Sequence, residues 1–221
     1  MSITRPAGFS AAGGHVGIKA DGIPDLTLLV ADRAVPTAAV FTSNGAPAAP
    51  VIVSRGHLSD GTARAVVVNS GCANAGTGDN GLADALETAG ATAARYGCAP
   101  EDVLVCSTGT IGPRLPVDRL VDGLPTSLDD TPVAGTTAAR AIMTTDSVSK
   151  EAALSQDGYS IGGMAKGAGM IRPDMATMLA VITTDAVVGS ELLHMALVEA
   201  VDQSFNSLNI DGCQSTNDAV L

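Results

Sequence analysis

Apolar residues come in short runs along the first part of the chain, each bounded by Gly, Pro, Asn or Asp. Residues 25–31 (DLTLLVA), 37–42 (TAAVFT), 49–54 (APVIVS) and 63–70 (ARAVVVNS) have the length and β-branched content of strands. The last of these is apolar at successive positions, which predicts a strand covered on both faces. The period then changes. Residues 81–97 (GLADALETAGATAARYG) read as a helix with Asp79 or Asn80 as its cap and Gly97 as its stop. Residues 102–109 (DVLVCSTG) return to strand, and 116–124 and 136–143 read as helices, the first with a proline in its opening turn. A hairpin is predicted over 149–165 around Asp157-Gly158, a favoured turn pair. A strand over 176–186, a helix over 190–204 capped by Ser190, and a closing strand over 205–212 complete the pattern. The mixed order predicts an α/β protein without fixing the sheet topology.

Composition narrows this. The 221 residues suit one large domain or two intimate small ones, and a 46% hydrophobic, 16% charged chain is not a disordered one. Aromatics make up only 2%, so the core must come from Ala, Val, Leu, Ile and Met. No apolar run approaches the roughly 18 residues that span a bilayer. The opening MSITRPAGFS lacks the regions of a secretory signal, so a cytoplasmic location is expected. A net charge of −11 argues against nucleic acid as a partner. Cys72, Cys98, Cys106 and Cys213 form no CxxC pair, and His15, His57 and His194 are scattered, so free thiols are expected and no metal site.

Four stretches carry candidate chemistry. Gly76 to Gly81 (GTGDNG) fits G-x-G-x-x-G between a strand and a helix, but the gap after the strand is long and Asp79 would face a pyrophosphate. A capped glycine-rich turn is the favoured reading. Cys106 to Gly112 (CSTGTIG) ends a buried strand with small residues, where a hydroxyl and backbone N–H groups can converge on one point, although an ordinary turn explains the spacing as well. Thr144, Thr145 and Asp146 follow a helix, and capping or turn bonding is their default role. Lys166, one of only three lysines, lies among small residues in AKGAGM, and a lysine there suits a substrate carboxylate. Thr177 opens an apolar run behind that glycine-dotted loop. Its hydroxyl is a weak nucleophile without a base. Its own amino group, freed by cutting the preceding peptide bond, is one physical solution.

Taken together, NSGCANAGTG (69–78), CSTGTIG (106–112), AIMTTD (141–146), GGMAKGAGMIRPDMATMLAVITTDA (162–186) and STNDAV (215–220) resemble the ornithine acetyltransferase family, the bifunctional glutamate N-acetyltransferases of arginine biosynthesis. The resemblance covers nearly the whole chain. It implies stacked β-sheets with flanking helices, related to the N-terminal-nucleophile fold but differently connected. It implies self-cleavage between Ala176 and Thr177 into an α-chain region (1–176) and the start of a β-chain (177–221), associated as α2β2. Carried over by position, Thr177 matches the cleavage residue and acetyl-accepting nucleophile, Thr108 and Gly109 the oxyanion hole, and Thr144 and Lys166 substrate-binding positions. The implied substrates are N2-acetylornithine and glutamate. No cofactor is implied beyond acetyl-CoA as an optional co-substrate, and the dinucleotide reading of GTGDNG lapses.

The family's chains continue well past the STNDAV region, whereas this sequence stops at Leu221. The part beyond normally supplies an acidic residue and C-terminal polar groups to the substrate site. Two readings therefore stand beside the transferase: a threonine-nucleophile amidase or aminopeptidase on the same fold, and a truncated, non-catalytic fragment.

Overall fold

A computed structural model describes residues 2–20, 22–170 and 178–221. The described residues form two sheets with helices packed outside and against them. The four-stranded sheet has the order β1 (Phe9–Gly14), β2 (Leu26–Pro36), β4 (Thr62–Cys72), β5 (Val103–Thr110). The five-stranded sheet runs β3 (Val40–Phe41), β9 (Ala219–Val220), β8 (Leu179–Thr184), β7 (Tyr159–Lys166), β6 (Lys150–Gln156). Most neighbours are antiparallel, and only β4·β5 and β8·β9 are parallel. The expected stacked-sheet α/β architecture is what the chain adopts.

Strand β4 shows why its run is continuously apolar. Successive side chains point to opposite faces. Ala65 and Val67 join Leu28, Val105, Ala89 and Leu120 in one core, under helices α2 (Gly78–Tyr96) and α3 (Val117–Asp122). Val66 and Val68 join Leu104, Met164, Val181 and Ile142 in the other, between the sheets. Helix α4 (Pro132–Ala141) closes that second core; Thr131 caps it by accepting the Ala134 N–H, and Pro132 opens its first turn. This helix starts ahead of the predicted 136–143.

Three further expectations need correction here. Residues 49–54 are not a strand but the start of helix α1 (Ala49–His57), which covers the free edge of β5. Pro50 suits a first turn, and Ser54 and His57, three apart on one helix face, reach alternate residues of the edge. The Ser54 hydroxyl both donates to the Val105 carbonyl and accepts from the Val105 N–H, each at 2.7 Å. His57 Nδ1 lies 2.8 Å from the Val103 carbonyl. An exposed edge is thereby closed without another strand. The expected closing strand over 205–212 is instead a short turn at Phe205–Ser207 followed by Asn209 and Asp211, whose carboxamide and carboxylate oxygens bind the N–H groups of Gly212 and Cys213. The strand that closes the sheet is β9, in its interior between β3 and β8. Finally, α2 starts at Gly78, and Thr77, not Asp79 or Asn80, holds the cap position.

Helix α5 (Ser190–Gln203) begins where predicted, with Gly189 at the cap in place of Ser190. It buries only Val201, while Leu192 and Met195 are exposed. No helix among the described residues is long and apolar enough to cross a membrane.

Candidate active site

The site forms where β5 and β4 end side by side. Ser107, Thr108 and Gly109 pair in parallel with Asn69, Ser70 and Gly71, and the ladder is irregular at Gly71–Cys72. The irregularity depends on glycine. Gly109 has φ +127°, and a Cβ on it would lie 2.3 Å from the Gly71 carbonyl carbon. Such an approach brings backbone groups of two strands together at one point, where a side chain would intrude. Asn69 fixes the turn, accepting from the Ser107 hydroxyl at 2.6 Å and donating to the Cys72 carbonyl at 2.8 Å.

Lys166 ends β7 and is paired with Leu179 of β8. Its side chain is 2% exposed and donates to the Thr108 hydroxyl oxygen at 2.5 Å. Burial pushes this ammonium down to about 8; the charges of Asp146 and Asp218 pull the other way. An oxygen that accepts from an ammonium keeps its own proton to donate, and is polarised to do so. The Lys166–Thr108 pair is therefore arranged to present an O–H donor beside Gly109, as stabilisation of a developing oxyanion requires.

Asp146 links the second half of the site. Its side chain is fully buried, and its carboxylate accepts the Gly167 N–H at 2.8 Å, the Thr144 N–H at 3.2 Å and the Lys150 ammonium. Burial pushes this carboxyl up, but the hydrogen bonds from Lys150, Gly167 and Thr144 outweigh it and hold the group below the usual carboxylate range. One buried charge thus ties the loop bearing Thr144 to the residue after Lys166. Thr144 lines an open cavity of about 820 Å³ together with Lys19, Arg140, Asp146 and Gly71. Lys19 donates to the carbonyls of Met143 at 2.6 Å and Pro24 at 2.9 Å, while Asp25 accepts the N–H groups of Val16, Ile18 and Lys19. Burial lowers the Lys19 pKa, against the opposing charges of Asp25 and Asp146. The charge of Asp146 thus acts on all three lysines of the chain, pairing with Lys150 and raising the pKa of Lys19 and Lys166 against their burial.

Of the residues singled out in the sequence, Thr108, Gly109 and Lys166 lie together, and Thr144 joins them through Asp146. Ala176 and Thr177 lie outside the described residues. Lys19, Asn217 and Asp218 were missed. The rarity of lysine was the signal for the first, and the STNDAV stretch for the other two. GTGDNG runs from a bend at Gly76 into the first turn of α2, fastened by its own neighbourhood: Asn74 donates to the Gly81 carbonyl at 2.8 Å and accepts from the Thr77 hydroxyl at 2.9 Å. The cysteines are free; burial pushes Cys106 up to about 12. Among the described residues no group of three or more His, Cys, Asp or Glu is placed to hold a metal ion.

The ArgJ family profile matches residues 10–221. The chain is 50% identical along its whole length to the arginine biosynthesis bifunctional protein ArgJ of Bifidobacterium longum, covering 58% of that protein. It is 49% identical along its whole length to the protein of the same name from Dehalococcoides mccartyi, covering 56% of it. The chain thus spans little more than half the length of these relatives. Among solved structures, the ornithine acetyltransferase of Mycobacterium tuberculosis complexed with ornithine is similar with a TM-score of 0.75 at 44% identity, over 80% of this chain and 96% of that one. The arginine biosynthesis bifunctional protein ArgJ of Bacillus halodurans is similar with a TM-score of 0.72 at 36% identity, over 80% and 95%. The chain belongs to the ArgJ family.

Proposed function

We propose that this chain carries the acyl-transfer centre of an acetyltransferase that moves the acetyl group of N2-acetylornithine to glutamate through Thr177. The observation that carries the reading is the Lys166–Thr108 hydrogen bond beside Gly109, a donor set suited to an oxyanion. The relatives' role in arginine biosynthesis, and the ornithine bound by the Mycobacterium tuberculosis protein, supply the substrate class.

In the first stage the Thr177 hydroxyl oxygen attacks the Ala176 carbonyl carbon. The peptide C–N bond breaks, an ester forms, and water hydrolyses it to leave a carboxylate on Ala176 and a free α-amine on Thr177. That amine has an ordinary pKa of roughly 7.7–8.0, suited to a base near neutral pH. It takes the Thr177 hydroxyl proton as the oxygen attacks the acetyl carbonyl of N2-acetylornithine. Thr108 and Gly109 stabilise the resulting oxyanion, a contribution of ~2.7–4 kcal/mol for one such donor. Collapse breaks the C–N bond, and the departing ornithine nitrogen takes the proton. The amine of glutamate then attacks the acetyl ester, giving N-acetylglutamate and restoring the threonine hydroxyl. Lys166 and Thr144 hold the amino-acid portion of the substrate, and the two cleaved chains stay together in an α2β2 assembly. Acetyl-CoA serves as an alternative acetyl donor at most, and no resident cofactor takes part.

The test uses the full-length gene product. N-terminal sequencing is expected to find a second chain beginning Thr-Met-Leu-Ala, and exposure to N2-acetylornithine alone to leave an acetyl group on the Thr177 peptide. An active enzyme that stays one chain, or transfer that needs both substrates together with no adduct, refutes the mechanism. Free acetate in place of N-acetylglutamate identifies a hydrolase instead.

A further inference from the structure

The proposed chemistry makes no use of the STNDAV stretch, although its two central side chains are buried in the site. Asn217 is 7% exposed and Asp218 1%. The Asn217 amide nitrogen donates to the Ser107 carbonyl at 2.9 Å and to the Ala73 carbonyl at 2.7 Å. Ser107 directly precedes Thr108, and Ala73 directly follows β4, with its own N–H bound to the Thr110 carbonyl at 3.0 Å. One amide therefore grips both strands that build the oxyanion-hole turn. The Asp218 carboxylate accepts the Met178 N–H at 2.8 Å, and Met178 is the residue after Thr177. Two consecutive side chains thus hold the ends of strands in different sheets, β5 in one and β8 in the other.

The segment between them is itself fixed. Thr216 donates to the Asn217 amide oxygen at 2.7 Å, which leaves the amide nitrogen as the group facing the two carbonyls. The Asn217 N–H is bound by the Ser215 hydroxyl at 3.0 Å. The carbonyls of Ser215, Thr216 and Asp218 accept from the Thr42 hydroxyl, the Ala48 N–H and the Thr42 N–H at 2.8, 2.8 and 3.0 Å. Downstream, β9 pairs with β3 and β8 on its two sides. A segment anchored on every side can transmit a fixed spacing.

We propose that Asn217 and Asp218 are positioning residues, a strut that sets the spacing between the oxyanion-hole end of β5 and the strand that follows the nucleophile. The inference rests on the acyl-transfer reading above. Each holds backbone that carries the site: Asn217 the carbonyls of Ser107 and Ala73, and Asp218 the N–H of Met178. Acyl transfer is sensitive to such spacing, and a misplacement of about 1 Å costs on the order of 100-fold in rate. Self-cleavage and acetyl transfer both need the Thr177 oxygen, the carbonyl it attacks and the Thr108–Gly109 donors in register, so the strut serves both.

The experiment compares Asn217→Ala, Asp218→Ala and Asp218→Asn with the parent in the full-length gene product. It measures the rate of cleavage between residues 176 and 177, kcat and KM for N2-acetylornithine, and folding by circular dichroism. Asn217→Ala is expected to lower kcat on the order of 10–100-fold with KM changed by less than about twofold, because the amino-acid-binding groups are untouched. Asp218→Ala is expected to slow cleavage by a similar factor. Asp218→Asn keeps an acceptor oxygen for the Met178 N–H and is expected to recover cleavage relative to Asp218→Ala. Parental kcat in a folded Asn217→Ala protein overturns the proposal. So does an Asp218→Asn protein as slow as Asp218→Ala, which makes the charge and not the spacing the cause. Should Asn217→Ala fail to fold, the Asp218 pair decides the question alone. A parent that neither cleaves nor transfers overturns the acyl-transfer reading itself, an outcome distinct from a competent parent with insensitive variants.

Discussion

Replacing Lys166 by methionine is expected to make the protein more stable at neutral pH while removing its ability to use acetylated substrate. The ammonium is buried at the end of β7, and burial lowers its pKa from 10.5 to about 8. That difference corresponds to roughly 3 kcal/mol of preference for the neutral form. The unfolded chain binds a proton at this lysine that the folded chain has lost between about pH 8 and the ordinary lysine value. Stability due to Lys166 therefore rises with pH across that window, and below it the full penalty of a buried charge is present. Methionine fills similar space and carries no proton, so the variant escapes the penalty. It loses the hydrogen bond to Thr108, worth about 1 kcal/mol net. The expected gain at pH 7 is thus roughly 2 kcal/mol, shrinking and changing sign as the pH passes about 10. Urea unfolding of Lys166→Met and its parent, both with Thr177→Ala so that each stays one chain under the proposed mechanism, measures this across pH 7–10.5. A stability difference that does not vary with pH, or a variant less stable at pH 7, refutes the assignment of Lys166 as a buried cation held there at a cost.

Three further substitutions probe the neighbours. Gly109→Ala places a Cβ against the Gly71 backbone at φ +127° and is expected to destabilise by more than about 3 kcal/mol. Gly112→Ala, at φ +105° with open space around it, should cost only roughly 1–3 kcal/mol in the same thermal melts. Asp146→Asn removes the charge that gathers Thr144, Gly167 and Lys150. It is expected to raise KM for N2-acetylornithine and to lose roughly 1–3 kcal/mol of stability, while self-cleavage is affected less; unchanged KM would refute its role in setting the Thr144 loop.

Much of this arrangement was legible because period and punctuation agree with packing. Strand β4 reads as buried on both faces since Ala65 and Val67 enter one core and Val66 and Val68 the other. The hairpin β6–β7 turns at Asp157-Gly158 as its residues dictate. Helix α1 was misread because Val51, Ile52 and Val53 favour strand locally. What makes them helical is tertiary: Ser54 and His57 satisfy the edge of β5 at helical spacing, and no local propensity encodes that edge. Residues 205–212 misled in the opposite way. Leu208 and Ile210 alternate as in a strand, yet they remain half exposed, while Asn209 and Asp211 bind their own backbone. At the site, small-residue context and the scarcity of lysine singled out Cys106–Gly112, Thr144 and Lys166, while the roles proposed for Thr108, Gly109, Thr144 and Lys166 come from resemblance to whole motifs. Spacing alone favoured an ordinary turn or cap for Asp146, and turn bonding is part of its work. Its hold on Gly167 joins residues far apart in sequence, which no local pattern reveals.

The poverty in aromatic residues and the geometry of the site have one cause. With aromatics at 2%, the layers are filled by small and branched side chains, and backbones lie close together. A Cβ on Gly13 would meet the Thr137 carbonyl oxygen at 2.5 Å, so β1 and α4 are nearly in backbone contact. At such distances a single hydroxyl or amide is long enough to fasten one element to the next. Thr27 reaches the Ala138 carbonyl at 2.7 Å, Ser70 the Ala141 carbonyl at 2.5 Å, and Thr183 the Ile3 carbonyl at 2.6 Å. These side chains have one or two rotatable bonds, so ordering them costs little entropy compared with a long Lys or Glu. Ser54, Asn69 and Asn217 work the same way around β5. The strand that carries Thr108 and Gly109 is therefore held by short polar side chains along its buried length. A donor set must sit within tenths of an ångström of a developing charge, and short, buried fastenings are what such tolerance demands.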